Sequence, residues 1–321
     1  MRICLCRRGA TRIVELLRTE LPEDEILECS SNEVAVCARQ VDVLVPLIAP
    51  VTEEALGSGR LRLVQQFGAG LDAVDVGSAS RHGVYVANVP SGETANADSV
   101  AELTILLLLA LARRWRQAQE NLQARRVGAP VGTTLMGKTA TIVGFGGIGR
   151  ALAQRLRGFG VRIVAVTRRG TSAEGEADRC FPVAELGEAL READFIIVAT
   201  PLTEETRGLI GKDALACAKS GAFLVNVARG PVVDREALLA ALASGKLAGA
   251  GLDVFWEEPP DPLDPLFSLQ VVATPHIGGA TDLSLREIAG AVAANVDRLR
   301  RGEALRNCVN ASSLRPRATQ A

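Results

Sequence analysis

The chain is predicted to be an α/β protein with two doubly wound parallel sheets, one domain being inserted into the other. Apolar runs of strand length alternate with amphipathic stretches along most of its 321 residues, as a parallel sheet covered on both faces requires. A glycine-rich turn joins one of these strands to a helix. The length suits about two domains, and a hydrophobic content of 48% can fill two cores.

Strands are predicted where apolar runs are bounded by turn residues. They are placed at Arg2 to Cys6, Asp42 to Pro46, Leu63 to Phe67, Val84 to Ala87, Thr139 to Val143, Arg162 to Val166, Phe195 to Ala199, Ala222 to Val227 and Gly249 to Val254. Helical spacing of apolar residues predicts the helices between them. These are placed at Thr11 to Arg18, Thr52 to Ser58, Arg150 to Arg157 and Arg235 to Ala243.

Charge and hydropathy argue against nucleic acid and membranes as binding partners. A net charge of -1 provides no basic field for nucleic acid and no attraction to a membrane surface. The longest apolar run, Leu103 to Ala112, is far shorter than the roughly 20 residues that a bilayer requires, so it is predicted to be a buried helix. The N-terminal sequence shows no secretory signal, and a cytoplasmic location is expected.

The seven cysteines stand at positions 4, 6, 29, 37, 180, 217 and 308. They form no C-x-x-C pair and have no histidine at metal-ligand spacing, so they are predicted to be buried thiols. Cys4 and Cys6 are expected on one face of the first strand. No metal site is predicted, and two histidines in the chain exclude a histidine-rich centre.

The glycine-rich turn has the pattern G-x-G-x-x-G from Gly144 to Gly149, directly after a predicted strand. Gly144 would allow a tight turn, Gly146 the close approach of a pyrophosphate, and Gly149 close packing of helix on strand. The backbone N–H groups at the helix start, including those of Gly147 and Ile148, would bind the phosphates. This strand-turn-helix context predicts a dinucleotide site.

Three residues with catalytic potential each lie in a local motif: Arg229 in VNVARG, Glu258 in DVFWEEPP and His276 in ATPHIGG. A guanidinium can hold a carboxylate bidentately, and an imidazole can pass a proton near neutral pH. A carboxylate beside the ring would tune it. Taken singly, Arg229 could cap a strand, Glu258 could be a solvated loop charge, and His276 a core histidine. Together they suggest chemistry at the carbon next to a carboxylate.

From about Leu61 to Asn310 the chain resembles the D-isomer-specific 2-hydroxyacid dehydrogenases, which include glyoxylate, hydroxypyruvate and phosphoglycerate enzymes. The order of arginine, glutamate and histidine is similar to that of the family, as are three further segments. These are Gly68-Ala69-Gly70-Leu71-Asp72, Ser99-Val100-Ala101-Glu102, and Thr200-Pro201-Leu202-Thr203 followed by Thr206-Arg207-Gly208. The resemblance implies a Rossmann-like cofactor domain, inserted into a flavodoxin-like substrate domain.

The resemblance also implies domain limits and assembly. The substrate domain would comprise residues 1–97 and 288–321, and the dinucleotide-binding domain residues 98–287. Two long helices, at about Asn96 to Gln123 and Asp282 to Arg300, would cross between them. A homodimer is expected, with the first of these helices at its interface. The apolar run at Leu103 to Ala112 suits burial by a partner as well as by its own chain.

Site roles follow from the same resemblance. Arg229 would hold the substrate carboxylate with the backbone N–H groups of Ala69 and Gly70, and His276, kept protonated by Glu258, would be the acid. The resemblance implies that the remaining cofactor contacts come from several loops. They are Thr200, Pro201, Thr206, Val227, Ala228, Asp253, Gly278 and Gly279.

The segment after the second strand of the cofactor domain departs from the pattern of NAD enzymes. An acidic residue usually stands there, roughly 20 residues past the glycines, to bind the ribose hydroxyls. Here Thr167 is followed by Arg168 and Arg169, which would add donors for a 2'-phosphate. NADPH is therefore predicted in preference to NADH, with NAD possible. The alternative is that both arginines are solvated surface residues.

The predicted function is thus an NAD(P)-dependent 2-hydroxyacid dehydrogenase that reduces glyoxylate or hydroxypyruvate with NADPH. Two alternatives stay open. One is a phosphoglycerate dehydrogenase-like activity with NAD. The other is a dinucleotide-sensing scaffold of the corepressor type, which could keep the same three residues.

Overall fold

The computed structural model describes residues 1–57 and 59–314, which form two compact units. The first unit contains Met1–Asn96 and the chain from Asp282 onward, and the second contains Ala97–Thr281. Two predictions fall outside the described residues: the end of the predicted helix at Ser58, and fraying of Arg315 to Ala321. No helix in the described part of the chain is long and apolar enough to cross a bilayer.

The first unit begins with five parallel strands and the helices that connect them. The strands are β1 (Arg2–Leu5), β2 (Glu25–Glu28), β3 (Val43–Val45), β4 (Leu63–Gln65) and β5 (Tyr85–Ala87). The helices are α1 (Thr11–Glu20), α2 (Val34–Ala38), α3 (Glu53–Leu56) and α4 (Val76–Arg81). The strand order β2-β1-β3-β4-β5 is that of flavodoxin-like sheets.

Alternation along β1 separates the two cores of the first unit. Ile3 and Leu5 point into one buried cluster, whereas Cys4 and Cys6 point into the other. This is the two-residue period of an extended strand. The sheet is therefore covered on both faces, as the apolar runs predict.

The second unit contains seven parallel strands. They are β6 (Thr139–Val143), β7 (Arg162–Thr167), β8 (Arg179–Pro182), β9 (Phe195–Val198), β10 (Ala222–Asn226), β11 (Leu247–Leu252) and β12 (Val271–Ala273). The helices of this part of the chain are α5 (Asn96–Ala112), α6 (Trp115–Gln123), α7 (Gly147–Arg157), α8 (Leu186–Arg191), α9 (Lys212–Cys217) and α10 (Arg235–Ala243). The chain then returns to the first unit through α11 (Asp282–Arg301).

The strand order of the second unit, β12-β11-β10-β9-β6-β7-β8, reverses direction between β6 and β9. The chain winds one way from β6 to β8 and the other way from β9 to β12. In such sheets ligands bind beyond the carboxyl ends of the strands at the point of reversal. The prediction of two doubly wound parallel sheets is confirmed.

The single helix predicted from Asn96 to Gln123 is wrong. It divides into α5 and α6 because Arg114 adopts a left-handed conformation, with φ 51° and ψ 50°. Such a residue cannot continue a right-handed helix. The prediction that Leu103 to Ala112 is helical is correct, although Leu106 is 58% exposed.

Candidate active site

The turn after β6 requires glycine at two positions. At Gly144 the backbone φ is +96°, and a Cβ would lie 2.6 Å from the carbonyl oxygen of Ala199 and from the backbone nitrogen of Thr200. At Gly149 a Cβ would lie 2.4 Å from the carbonyl oxygen of Gly144. Gly146 differs, because a Cβ there would meet nothing within 4 Å. Packing within the protein thus explains two of the glycines, whereas Gly146 borders open space.

The start of α7 fits the pyrophosphate of a dinucleotide. The helix begins at Gly147, and no side chain caps it. The first N–H groups of a helix, here those of Gly147, Ile148 and Gly149, have no intrahelical partner and lie at the positive end of the dipole. With the open space at Gly146, this arrangement leaves room and donors for an anion.

The end of β7 carries the residues expected at the ribose. Thr167 Oγ1 accepts a hydrogen bond from the backbone N–H of Thr171 at 3.1 Å, which closes the loop. Arg168 and Arg169 are exposed. Neither guanidinium has a hydrogen bond or ion pair with another described residue. Both are therefore available to an anionic group near this strand end.

The loop after β9 is organised by one threonine. Thr206 Oγ1 donates a hydrogen bond to the carbonyl of Pro201 at 2.7 Å and accepts one from the N–H of Thr203 at 2.7 Å. Thr200 precedes this loop and contacts the glycine turn through its backbone nitrogen, as the Gly144 geometry shows. The hydroxyl of Thr206 thus fixes the conformation of this loop, and its predicted contact with the cofactor stays a prediction.

A buried asparagine holds the turn after β10, and the sequence reasoning missed its role. Asn226 is fully buried. Its Oδ1 accepts from the N–H of Ala228 at 3.0 Å, and its Nδ2 donates to the carbonyl of Arg229 at 2.9 Å. Val227 continues the sheet by donating to the carbonyl of Val198 at 3.2 Å. The only hint in the sequence is the asparagine within VNVARG, where a polar residue ends an apolar strand.

The Arg229 side chain lies at this turn and is half-buried. Its Nη1 donates to the carbonyl of Ala228 at 2.7 Å. The next residue is Gly230, where a Cβ would lie 2.1 Å from the carbonyl carbon of Phe255. Glycine at 230 therefore allows the arginine turn to pack directly on the loop that carries Glu258.

Glu258 and His276 are in direct contact. Glu258 Oε2 lies 2.7 Å from His276 Nδ1, and Glu258 Oε1 accepts from the N–H of Phe255 at 3.1 Å. The His276 side chain is 33% exposed and the Glu258 side chain 20%. Since Nδ1 faces the carboxylate, Nε2 is the ring nitrogen left to exchange a proton with a ligand.

The electrostatic setting keeps Glu258 ionised. Burial alone raises the pKa of this carboxyl, but the hydrogen bond and the charge of His276 lower it. The N–H of Phe255 and the guanidinium of Arg229 lower the pKa further. The net pKa of Glu258 lies below its ordinary value, and the ionised carboxylate fixes the orientation of the ring through Nδ1.

Asp253 organises the loop that contains His276. Its Oδ1 accepts from Thr274 Oγ1 at 2.7 Å and from the N–H of Ile277 at 2.9 Å, and its Oδ2 accepts from the N–H of Gly278 at 2.8 Å. The His276 N–H donates to the Asp253 carbonyl at 2.8 Å, and the His276 φ is +53°. Asp253 is 2% exposed. Its position at the end of β11 thus sets the backbone of the histidine loop.

Gly278 and Gly279 follow the histidine. A Cβ on the buried Gly278 would lie 2.8 Å from Asp253 Oδ2, so only glycine fits beside this carboxylate. Gly279 is half-buried, and its carbonyl accepts from the N–H of Thr281 at 3.0 Å. The loop is therefore closely packed around Asp253.

Trp256 and His82 have local partners. Trp256 Nε1 donates to the carbonyl of Val233 at 2.7 Å, which anchors the ring locally. His82 follows α4 in the first unit, with Nε2 3.4 Å from Glu53 Oε1.

In the first unit, Ala69 and Gly70 lie on a loop held by another residue that sequence reasoning missed. The buried Gln66 donates from Nε2 to the carbonyls of Leu47 at 2.7 Å and of Gly70 at 2.5 Å. Asn88 Nδ2 donates to the carbonyl of Ala69 at 2.8 Å. The backbone N–H groups of Ala69 and Gly70 make no hydrogen bond to any described residue. They are free to bind an anion.

The second unit thus collects its predicted residues at one edge of its sheet. β6, β9, β10 and β11 are parallel neighbours, so the turns that follow them share that edge. A glycine turn suited to a dinucleotide, at the same edge as an arginine and a glutamate-histidine pair, defines a nicotinamide-dependent oxidoreductase.

Comparison with known proteins gives the family. Residues 105–278 match the model of the D-isomer specific 2-hydroxyacid dehydrogenase NAD binding domain. A glyoxylate reductase of Thermococcus kodakarensis is 42% identical over 85% of this chain and 84% of its own. A D-3-phosphoglycerate dehydrogenase of Bacillus subtilis is 38% identical over 84% of this chain and 51% of its own. The crystal structure of a glyoxylate reductase from Paecilomyes thermophila has a TM-score of 0.81, with 26% identity over 96% of this chain and 98% of that one.

The chain belongs to the D-isomer-specific 2-hydroxyacid dehydrogenase family. It is an oxidoreductase that acts on the CH–OH group of a small hydroxy acid and uses a nicotinamide cofactor.

Proposed function

We propose that the protein reduces a small 2-keto acid, glyoxylate or hydroxypyruvate, to the 2-hydroxy acid with NADPH. The observation that carries the proposal is the 2.7 Å contact between Glu258 Oε2 and His276 Nδ1, beside a guanidinium that acts on the same carboxylate. The relatives point in the same direction, since the Thermococcus kodakarensis protein and the Paecilomyes thermophila structure are glyoxylate reductases.

The residues would divide the reaction between binding and proton transfer. Arg229 would hold the substrate carboxylate and polarise the adjacent carbonyl, and the free N–H groups of Ala69 and Gly70 are proposed as further carboxylate donors. A bound reduced nicotinamide supplies the hydride for the keto carbon. His276 would donate the proton from Nε2 to the carbonyl oxygen as the C–O bond loses its double-bond character. Glu258 would stabilise the charged ring before this transfer.

The cofactor side of the proposal rests on the two free guanidiniums. Arg168 and Arg169 follow β7 with no carboxylate among Thr167, Arg168, Arg169 and Gly170. A 2'-phosphate would gain charge-assisted hydrogen bonds there, whereas a ribose hydroxyl would lack its usual acidic acceptor. This favours NADPH over NADH. Asp253, Gly278 and Gly279 are proposed to line the nicotinamide end.

A second candidate activity is phosphoglycerate oxidation with NAD. The 38% identity to a D-3-phosphoglycerate dehydrogenase favours it, although this chain covers 51% of that relative. The two candidates differ in cofactor and in substrate charge, because a phosphoglycerate carries an additional phosphate. A substrate panel therefore separates them.

We also propose that the protein is a homodimer. Several large apolar side chains in one segment of the second unit are exposed. They are Leu106, Trp115, Leu122, Val127, Val131 and Met136. These residues share one segment of the chain, from residue 106 to residue 136, and exposed apolar patches mark protein–protein interaction sites. Analytical ultracentrifugation, which measures the mass of the assembly in solution, tests this proposal. The cytoplasmic location is a separate prediction that stays open.

The activity is tested by initial rates of NADPH and NADH oxidation at matched concentrations, with glyoxylate, hydroxypyruvate and bulkier 2-keto acids. Oxidation of phosphoglycerate with NAD is assayed alongside. The proposal predicts reduction of glyoxylate or hydroxypyruvate with a preference for NADPH. Activity only with phosphoglycerate and NAD would contradict this proposal and support the second candidate activity. If neither cofactor is oxidised by folded protein that binds dinucleotide, the proposed substrates are wrong.

A further inference from the structure

Four cysteines that are separated in the sequence meet on one face of the sheet in the first unit. Cys4 lies on β1 and Cys6 directly follows it, so both point to the same face. Cys29 directly follows β2, and its N–H donates to the carbonyl of Leu5 at 3.0 Å. Cys37 belongs to α2, which packs on that face. We call these four residues the cysteine cluster.

The sulfur atoms are close to one another. The Sγ atoms of Cys4, Cys29 and Cys37 all lie within 4.8 Å of one another. Cys4 is fully buried, Cys29 is 4% exposed, and Cys37 is half-buried and reaches the surface. Cys6, 3% exposed, lies in the same buried cluster as Cys4 and Cys29, and its Sγ donates to the carbonyl of Cys4 at 3.9 Å.

The sulfur spacing fits a metal ion better than a disulfide. Thiolates around a tetrahedral zinc ion lie about 3.8 Å apart, from a Zn–S bond of about 2.3 Å. The trio would have to close by only about 1 Å to reach this spacing. A disulfide would join two sulfurs, leave the other thiols unused and require an oxidant. Mutual proximity of three sulfurs with a fourth beside them is the donor set that soft metal ions prefer.

We propose that Cys4, Cys29 and Cys37, with Cys6 as the fourth donor, form a binding site for a zinc-type divalent metal ion. The sequence predicted no metal site, because the cysteines are far apart along the chain and no C-x-x-C pair is present. Pairing of β1 with β2 and packing of α2 against the sheet bring them together. On binding, each ligating thiol releases its proton to solvent and no electrons are transferred.

Charges near the cysteine cluster suit a site with net negative charge. A zinc ion with three or four thiolates carries a net charge of -1 or -2. Two arginines flank Cys4 and Cys6 in the sequence: Arg2 stands two residues before Cys4, and Arg8 two residues after Cys6. Both arginines also pair with glutamates, Arg8 with Glu33 at 2.8 Å and Arg2 with Glu25 at 2.8 Å. The ion would join β1, β2 and α2, so its expected role is structural.

The site is tested on the full chain after removal of metal with a chelator and full reduction. Zn²⁺ is titrated in competition with a chromogenic chelator, and Cd²⁺ is titrated while thiolate-to-metal charge-transfer absorption is recorded. We expect one ion per chain, a charge-transfer band with Cd²⁺, and a rise in Tm with Zn²⁺. Absence of the band would overturn the proposal.

Two variants separate the cysteine cluster from other thiols. Cys37→Ser changes the half-exposed member, so the fold should survive, and it should weaken Zn²⁺ affinity about 10-fold or more. Cys308→Ser, in the same unit but outside the cluster, should bind Zn²⁺ as the unmodified chain does. Equal affinity in both variants would overturn the proposal. A disulfide within the cluster would also overturn the proposal. It would leave fewer than seven free thiols in the protein before reduction, and Cys37→Ser would abolish the deficit.

Discussion

Gly230 lies against Phe255 so closely that a Cβ on Gly230 would be 2.1 Å from the carbonyl carbon of Phe255 and 2.5 Å from the backbone nitrogen of Trp256. This contact joins the turn that carries Arg229 to the loop that carries Glu258. The spacing of the arginine and the glutamate therefore depends on a residue with no functional group.

Gly230→Ala should reduce both stability and catalysis, because two backbone segments must move apart to admit the methyl group. Overpacking of this kind costs typically 1–3 kcal/mol, and we expect kcat/KM for the keto acid to fall about tenfold or more. Denaturant unfolding and steady-state rates measure the two effects. Gly290→Ala is the matched control, since a Cβ on this residue of α11 meets nothing within 4 Å. An unchanged kcat/KM in Gly230→Ala would show that this contact does not determine the spacing of Arg229 and Glu258 that catalysis requires.

The glycine turn allows a test that separates folding from cofactor binding. Gly146→Ala should leave the Tm unchanged, because space is open there, yet raise the KM for NADPH about tenfold, a loss of about 1.4 kcal/mol. Gly144→Ala should instead lower the Tm, since its Cβ would lie 2.6 Å from the backbone of Ala199. If Gly146→Ala bound NADPH normally, the open space at this residue would not be where the pyrophosphate binds.

Much of the fold could be predicted because its strands are buried on both faces. β6 and α10 have their predicted limits, Thr139–Val143 and Arg235–Ala243. The strands that were missed lie at sheet edges: β2 (Glu25–Glu28), β8 (Arg179–Pro182) and β12 (Val271–Ala273). β2 and β8 carry charged residues and β12 has only three residues, so none of them shows the continuous apolar run of a central strand. The break at Arg114 depends on a backbone angle that the sequence pattern does not reveal.

The site residues with distinctive chemistry could be proposed from the sequence, whereas their supports could not. Arg229, Glu258 and His276 stand in motifs with functional groups that suggest roles. Asn226 and Gln66 act through hydrogen bonds to backbone carbonyls, which depend on turns formed only in the fold. The cysteine cluster was missed for the same reason, since its members meet only when β1 pairs with β2 and α2 packs on the sheet.

Replacing Glu258 with glutamine should shift the pH dependence of the reaction. The pKa of Glu258 lies below its ordinary value, so the carboxylate is charged over the working range and faces Nδ1 of His276. Glutamine keeps a polar partner for Nδ1 but removes the negative charge beside the ring that is proposed to donate the proton. The alkaline limb of kcat/KM for reduction should therefore move to lower pH, and the acid limb for oxidation should move in the same direction. Profiles that coincide with those of the unmodified enzyme would contradict the pairing.

The same lowered pKa has a consequence for stability. The contact with His276 contributes stability that is present above the ordinary carboxyl pKa, about 4.3, and is lost as the pH falls through the lower pKa of the folded state. The difference in Tm between the unmodified chain and Glu258→Gln should therefore shrink in acid.

Arg168→Ala should discriminate between the two nicotinamide cofactors. Loss of a charge-assisted donor should raise the KM for NADPH about tenfold or more and leave that for NADH nearly unchanged. Arg191→Ala is a suitable control, since this exposed arginine pairs with Glu188 on α8. Equal changes in the KM values for the two cofactors would show that Arg168 does not bind the 2'-phosphate.

The central claim is that His276 supplies the proton for keto-acid reduction, and His276→Asn tests it most directly. With glyoxylate and saturating NADPH, kcat should fall about 100-fold to 10,000-fold, while the Kd for NADPH, measured by fluorescence, stays close to its original value. His82→Asn, which changes the other of the two histidines, should keep full activity. A kcat for His276→Asn within a few-fold of the unmodified enzyme would contradict the account.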